Sequence, residues 1–237
     1  MKTRNKVILL VMCLILVTAA STLATMAYLI DDDLIVNTFT VGKVKIKLDE
    51  EIVDLTGTAT GAGRTETGNA YHLLPGLTYT KDPAVTVLSG SAECYIRMFV
   101  KINRTQAQLD EIFGAGFLPQ YFVNGWDNAV WETTGIVEEA AGAVTYEFRY
   151  REAGDATPQT YWDASRGNHS ADERLAPLFE SFTVPEGMTR ADLALLGDDE
   201  STPEDEKFNI TVTAHAIQAA GFDTEAAAWA AFDSQME

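Results

Sequence analysis

The stretch Ala92–Ile102 constrains this chain more than any other. It reads AECYIRMFVKI, with Ala92, Cys94, Ile96, Met98, Val100 and Ile102 at alternate positions. Side chains of a strand point alternately to opposite faces, so this pattern predicts a strand with one wholly apolar face. Tyr95, Arg97, Phe99 and Lys101 share the other face; two aromatics there imply that it is covered in part as well. A strand apolar on one face and half-apolar on the other needs neighbours above, below and beside it. The chain supplies them. Val44, Ile46 and Leu48 alternate with Lys43, Lys45 and Lys47, a strand with a solvated lysine face. Ala84–Leu88 is β-branched. Val144, Tyr146, Phe148 and Tyr150 alternate with Thr145, Glu147, Arg149 and Arg151. Leu178–Val184 reads as a strand ended by Pro185. Phe208, Ile210, Val212, Ala214 and Ala216 alternate with Asn209, Thr211, Thr213 and His215.

Between these runs lie turn signals. Thr56–Asn69 is rich in Thr and Gly and reads as a loop or hairpin tip, and Pro75-Gly76 marks a turn. Tyr121–Trp131 holds Asn124-Gly125 and reads as a hairpin. Ala153–Arg174 is a polar surface excursion, and Leu193–Lys207 holds an acidic loop. Two short helices are expected. One begins at Thr105 with Gln108 in the capping-box position, Leu109, Ile112 and Phe113 as its stripe, and Gly114 and Gly116 after it. The other is capped by Asp223, runs from Thr224 to about Ser234, and carries Trp229 and Phe232. Seven or eight strands without βαβ alternation predict an all-β fold, an antiparallel β-sandwich with short helical insertions and a short C-terminal helix.

The N-terminus has a different grammar. Lys2, Arg4 and Lys6 precede an apolar run from Val7 to Ala20, small residues follow, and Asp31–Asp33 closes the segment. This is the layout of a secretory signal peptide. The expected cut follows Ala27, so that the mature chain begins at Tyr28; a cut after Ala24 and retention of Val7–Ile30 as a membrane anchor are the alternatives. The expectation is a signal over 1–27 and a single domain over 28–237, long enough for a real core. Removing the three N-terminal cations leaves 14 basic residues against 35 acidic ones, a net charge near −21. That argues against a nucleic-acid partner and, once the signal is removed, against an anionic membrane surface. Cys13 lies in the signal, which leaves Cys94 alone in the mature chain as a buried core residue.

Several blocks carry a resemblance. Tyr28-Leu29-Ile30-Asp31 leads into Asn37-Thr38-Phe39-Thr40-Val41-Gly42 and the strand Val44–Leu48. Leu74-Pro75-Gly76 and Tyr79-Thr80-Lys81-Asp82-Pro83 follow, then Pro177-Leu178-Phe179, Phe182-Thr183-Val184-Pro185, and the ending from Ile210 through Ala228-Trp229. In this order the blocks resemble the TasA/camelysin family, secreted proteins of Gram-positive bacteria processed by a signal peptidase of the SipW type. Residues 104–143 and 153–176 are not covered. The resemblance narrows the expected sandwich to a jelly-roll-like one. It implies a secreted structural subunit of biofilm-matrix or cell-surface fibres, with itself and other matrix proteins as partners. Tyr28–Phe39 would then become an added strand on a neighbour, with Leu34, Val36 and Phe39 filling pockets.

Some camelysin relatives are described as metalloproteases, which sets a second expectation to weigh. Zinc hydrolysis wants paired histidines on one helical face with a Glu base. His72, His169 and His215 are scattered and form no such pattern. There is no nucleophile elbow. Asp31–Asp33 and the run Asp198, Asp199, Glu200, Glu204, Asp205, Glu206 lack calcium-loop spacing. The residues therefore imply no catalytic site, no metal site and no cofactor. Trp126, Trp131, Tyr161 and Trp162 are more simply core or interface residues than a sugar site, although a monomeric surface-binding module would use them.

Overall fold

A computed structural model describes residues 44–140, 142–151, 171–196 and 207–236. Its strands are β1 (Ile46–Val53), β2 (Ala59–Thr65), β3 (Thr78–Thr80), β4 (Ala84–Val87), β5 (Cys94–Ile102), β6 (Val123–Asn124), β7 (Trp131–Ala140), β8 (Ala143–Tyr150), β9 (Glu173–Arg174), β10 (Ser181–Thr183) and β11 (Ile210–Gln218). The helices are α1 (Gln106–Phe113), α2 (Pro119–Phe122), α3 (Arg190–Leu195) and α4 (Glu225–Met236). The strands form three sheets, ordered β2-β1-β4-β9, β3-β10-β6 and β11-β5-β8-β7. Every described pairing is antiparallel. The all-β, sandwich-like class expected from the alternation is what forms.

The strand over Ala92–Ile102 is central. β5 pairs with β11 on one side, from Ile210↔Ile102 to Gln218↔Cys94, and with β8 on the other. Its even-numbered side chains enter the main core, where Ile96 and Met98 are fully buried beside Trp131, Tyr146 and Leu178. That core draws side chains from all three sheets, among them Ile46 and Val85 on one sheet and Tyr79 and Phe182 on another. The opposite face of β5 is covered as its aromatics implied. Tyr95 joins Ile217, Ala219, Ala228, Trp229 and Phe232 in a second, smaller cluster beneath α4.

Local chemistry explains most boundaries. Thr105 accepts from the Gln108 amide and Gln108 reaches back to the Thr105 amide, the expected capping box, and Gly114 at φ +108° stops α1. For α4 the cap is Thr224, whose Oγ1 accepts from the Ala227 amide at 3.2 Å, not Asp223 one residue earlier. Cys94 is fully buried, as its alternating context suggested.

Further expectations change. Thr56–Asn69 is more than a loop, because Ala59–Thr65 pairs with β1 as a strand. Trp131–Ala140 was hidden as a strand because it is acidic, carries a glycine and is bulged at two places, which breaks the alternation. Asn124-Gly125 does not join a hairpin: β6 pairs with β10, far along the chain, while Pro119–Phe122 coils into a helical turn. Leu178–Val184 contributes only Ser181–Thr183 as strand, because the Leu178 amide turns to bond the Pro83 carbonyl at 2.9 Å.

Candidate functional site

The outer face of β11-β5-β8-β7 is built in rows. The register places His215, Arg97, Arg149 and Glu132 side by side across the four strands. The next row is Thr213, Phe99, Glu147 and Gly135, and the next Thr211, Lys101, Thr145 and Glu138. Like charges directly opposite repel, and Arg97 and Arg149 are such a pair. Glu147 resolves the conflict from the adjacent row. Its Oε1 lies 3.0 Å from Arg149 Nε and 3.6 Å from Arg97 Nη1, and Oε2 accepts from Thr134 Oγ1 at 3.0 Å.

α4 closes one end of this face. Arg97 is 4% exposed, and its guanidinium faces the rings of Trp229, Phe99 and Phe232 while pairing with Asp233. Its Nε has no hydrogen-bond partner among the described residues, and ring faces take that place. Burial, reinforced by the Arg97 charge, pushes the pKa of His215 down to about 4, so its ring is neutral above that. Past the helix end a groove of about 450 Å³ remains, floored by Phe99, Lys101, Thr145, Thr211 and Thr213 and rimmed by Val137 and Glu138 of β7. Ile136 and Val137 are 44% and 47% exposed on that outermost strand.

A second polar centre gathers around β1, and it uses the Tyr79–Pro83 block. Asp82 Oδ1 accepts from the Glu51 amide at 2.7 Å, and its Oδ2 holds Arg64 Nη1 at 2.7 Å and Arg174 Nη2 at 3.0 Å. Asp49 pairs with Arg64 and with Lys47. Burial works against its charge, yet the hydrogen bonds from Arg64 and Lys47 outweigh burial and hold Asp49 below the usual carboxylate range. Beside it, Lys81 and Glu50 form a buried pair at 2.6 Å. These residues lock the β1–β2 hairpin to the turn after β3.

Few of the residues singled out in the sequence meet. His72 lies in the loop between β2 and β3 and gives its carbonyl to the Tyr79 hydroxyl, whereas His215 lies on β11 and stacks on Phe232. Trp131 is fully buried with its indole N–H on the Ala176 carbonyl at 3.0 Å, and Trp126 donates to the Trp131 carbonyl at 2.8 Å. Trp131 is a core residue, and half-buried Trp126 packs against the core. Ala27, Tyr28, Leu34, Val36, Phe39, Asp31–Asp33, His169, Tyr161, Trp162 and the acidic run Asp198–Glu206 lie outside the described residues. Among the described residues no group of three or more His, Cys, Asp or Glu is placed to hold a metal ion, and no helix is long and apolar enough to cross a membrane. The Arg97–Glu147–His215 centre escaped sequence reading, although Arg97 in the middle of an otherwise apolar strand was a signal for it.

Comparison with protein-family models, with curated proteins and with solved structures finds no match.

Proposed function

We propose that this chain is a secreted structural subunit that self-associates into extracellular-matrix or cell-surface fibres, with a jelly-roll-like arrangement of its sandwich. The observation that carries this reading is β7. Among the described residues it lies at the end of its sheet, it is ten residues long, and it presents Ile136 and Val137 to solvent. An edge strand offers unpaired peptide groups to another chain, and exposed apolar residues beside it supply contact area. The donor is Tyr28–Phe39 of the N-terminal segment, with Leu34, Val36 and Phe39 entering pockets on a neighbour. A signal peptidase of the SipW type frees it by cutting between Ala27 and Tyr28. Other matrix proteins are further partners, and the protein is extracellular and non-catalytic.

Assembly works against the mutual repulsion of subunits near −21. Screening shortens from about 10 Å at 0.1 M salt to about 3 Å at 1 M. Fibres therefore form faster at high salt, or as pH falls toward the isoelectric point near 4.4. Negative-stain imaging tests the reading. Protein starting at Tyr28 is expected to form fibres, while Ile136→Lys and protein starting at Val41 remain monomeric. Identical fibres from the Val41 form would remove the donor strand from the mechanism. A casein assay on the same samples tests the protease alternative: any hydrolysis is expected to survive replacement of His72, His169 and His215 by Gln.

A further inference from the structure

We propose that Lys81 and Asn69 become joined by an intramolecular isopeptide bond, with Glu50 carrying the protons. The inference is independent of the assembly reading. It rests on three side chains that meet in one place: an amine, a carboxylate and a primary carboxamide. Glu50 Oε2 accepts from Lys81 Nζ at 2.6 Å, and its Oε1 accepts from Asn69 Nδ2 at 2.8 Å. One carboxylate thus bridges the nucleophilic nitrogen and the nitrogen that would leave. The Lys81 and Glu50 side chains are each 8% exposed. An ion pair this buried gives little net stability by itself, and it has no need of the amide.

The carboxamide is also held as an electrophile would be. Asn69 Oδ1 accepts from the Val53 amide at 3.1 Å, and Nδ2 gives its second hydrogen to the Glu51 carbonyl at 2.8 Å. The Val53 N–H therefore points at the oxygen on which negative charge would develop. An aromatic ring lies over the amine. Tyr71 packs edge-on against Tyr79 and Phe182, and Lys81 Nζ lies 5.9 Å from its ring centroid. Burial first, and the Glu50 charge second, push the Tyr71 phenol up.

The steps balance without an oxidant or cofactor. Lys81 passes one Nζ proton to Glu50 along their hydrogen bond, which leaves a neutral amine beside a neutral acid. The Nζ lone pair adds to Asn69 Cγ, and the carbonyl π pair moves onto Oδ1. Glu50 gives its proton to Nδ2 and takes a second proton from Nζ. The Cγ–Nδ2 bond breaks, its electron pair leaves with nitrogen, and the carbonyl re-forms. Ammonia takes the proton from Glu50 and departs as ammonium. The net change is an alkylammonium and a carboxamide going to a secondary amide and an ammonium ion. The product ties the residue after β3 to the return of the β1–β2 hairpin.

Intact mass spectrometry of the folded mature protein tests this. The expected mass is lower than that of the linear chain by one ammonia. Trypsin should fail to cut after Lys81, and Asn69 and Lys81 should emerge in one ring-closed fragment beginning at Thr65. Lys81→Arg should restore the full mass, and Glu50→Gln should slow bond formation at least about a hundredfold. Asn69 can also lose ammonia by closing on its own backbone, and in that case the loss persists in Lys81→Arg while Lys81 stays cleavable. That result, or a folded wild-type protein of full mass, overturns the proposal. The bond forming at an unchanged rate in Glu50→Gln overturns the role of Glu50. Should either variant fail to fold, the wild-type tryptic fragment still decides.

Discussion

Arg97, from the outer face of β5, lies under Trp229 of the terminal helix with its guanidinium carbon 4.2 Å from the ring centroid. The contact joins the central strand to the last element of the chain. It explains how a charged residue in a buried strand is tolerated: two carboxylates and three rings surround it. α4 docks through this cation and through the small cluster of Tyr95, Ile217 and Ala219.

Trp229→Ala should therefore release more than one side chain. Trp229 is 2% exposed, and deleting a buried Trp costs about 3–5 kcal/mol where the site cannot collapse. Urea unfolding measures the loss, and hydrogen exchange over Glu225–Met236 should accelerate with it. A cost under about 1 kcal/mol, with exchange unchanged, would mean that α4 is held in some other way.

His215 should make stability depend on pH. Its ring stacks on Phe232 with a centroid distance of 4.9 Å, and Arg97 Nη2 is 3.5 Å from Nδ1. Burial and then the Arg97 charge lower its pKa from 6.5 to about 4, while Asp233 and Glu147 act in the opposite direction. The unfolded chain thus takes up the proton first. The contribution is complete above pH 6.5 and is lost as pH falls toward 4, by up to about 3 kcal/mol. Thermal unfolding across that range, compared between wild type and His215→Gln, isolates the effect from carboxylate titration. Parallel pH profiles for the two proteins would refute it.

Gly57→Ala should damage the β1–β2 hairpin. Gly57 has φ +74°, and a Cβ there would stand 2.5 Å from Tyr79 Cδ1 and 2.7 Å from Tyr79 Cα. Tyr79 cannot yield, because it is fully buried and its hydroxyl donates to the His72 carbonyl and accepts from the Leu74 amide. Strained backbone together with overpacking sets an expected cost of about 2–4 kcal/mol. Chemical unfolding of the variant checks it, and a neutral result would place the hairpin tip away from Tyr79.

Processing has its own test. Mass spectrometry of the protein recovered from culture medium should find Tyr28 at the N-terminus. A membrane-bound form that keeps Met1 would support the anchor reading of Val7–Ile30 instead.

The strands with strict alternation were legible because each residue's face is set two positions at a time. β5, β8 and β11 could be read in this way, and so could the capping box at Thr105 and Gln108, which is closed by neighbours in the chain. β2 and β7 were not legible. Ala59–Thr65 and Trp131–Ala140 hold few buried residues, and they are strands because a partner strand satisfies their peptide groups. The pairing of Val123-Asn124 with Ser181-Phe182 is likewise invisible to any local pattern, since more than fifty residues separate the two.

The polar centres divide along the same line. Sequence alone determined that the chain is an acidic, strand-rich protein with a signal-like N-terminus and a cation embedded in its most apolar strand. It did not determine what that cation meets. Arg97 finds Glu147 from β8, His215 from β11 and Asp233 from α4, and Glu50 finds Lys81 and Asn69 from separate turns. Alternation, capping and turn chemistry act over a few residues, so the order of side chains along the chain encodes them. Which charges and amides become neighbours depends on register and on how the sheets and α4 pack, and those are settled only when the whole chain buries its apolar surface together.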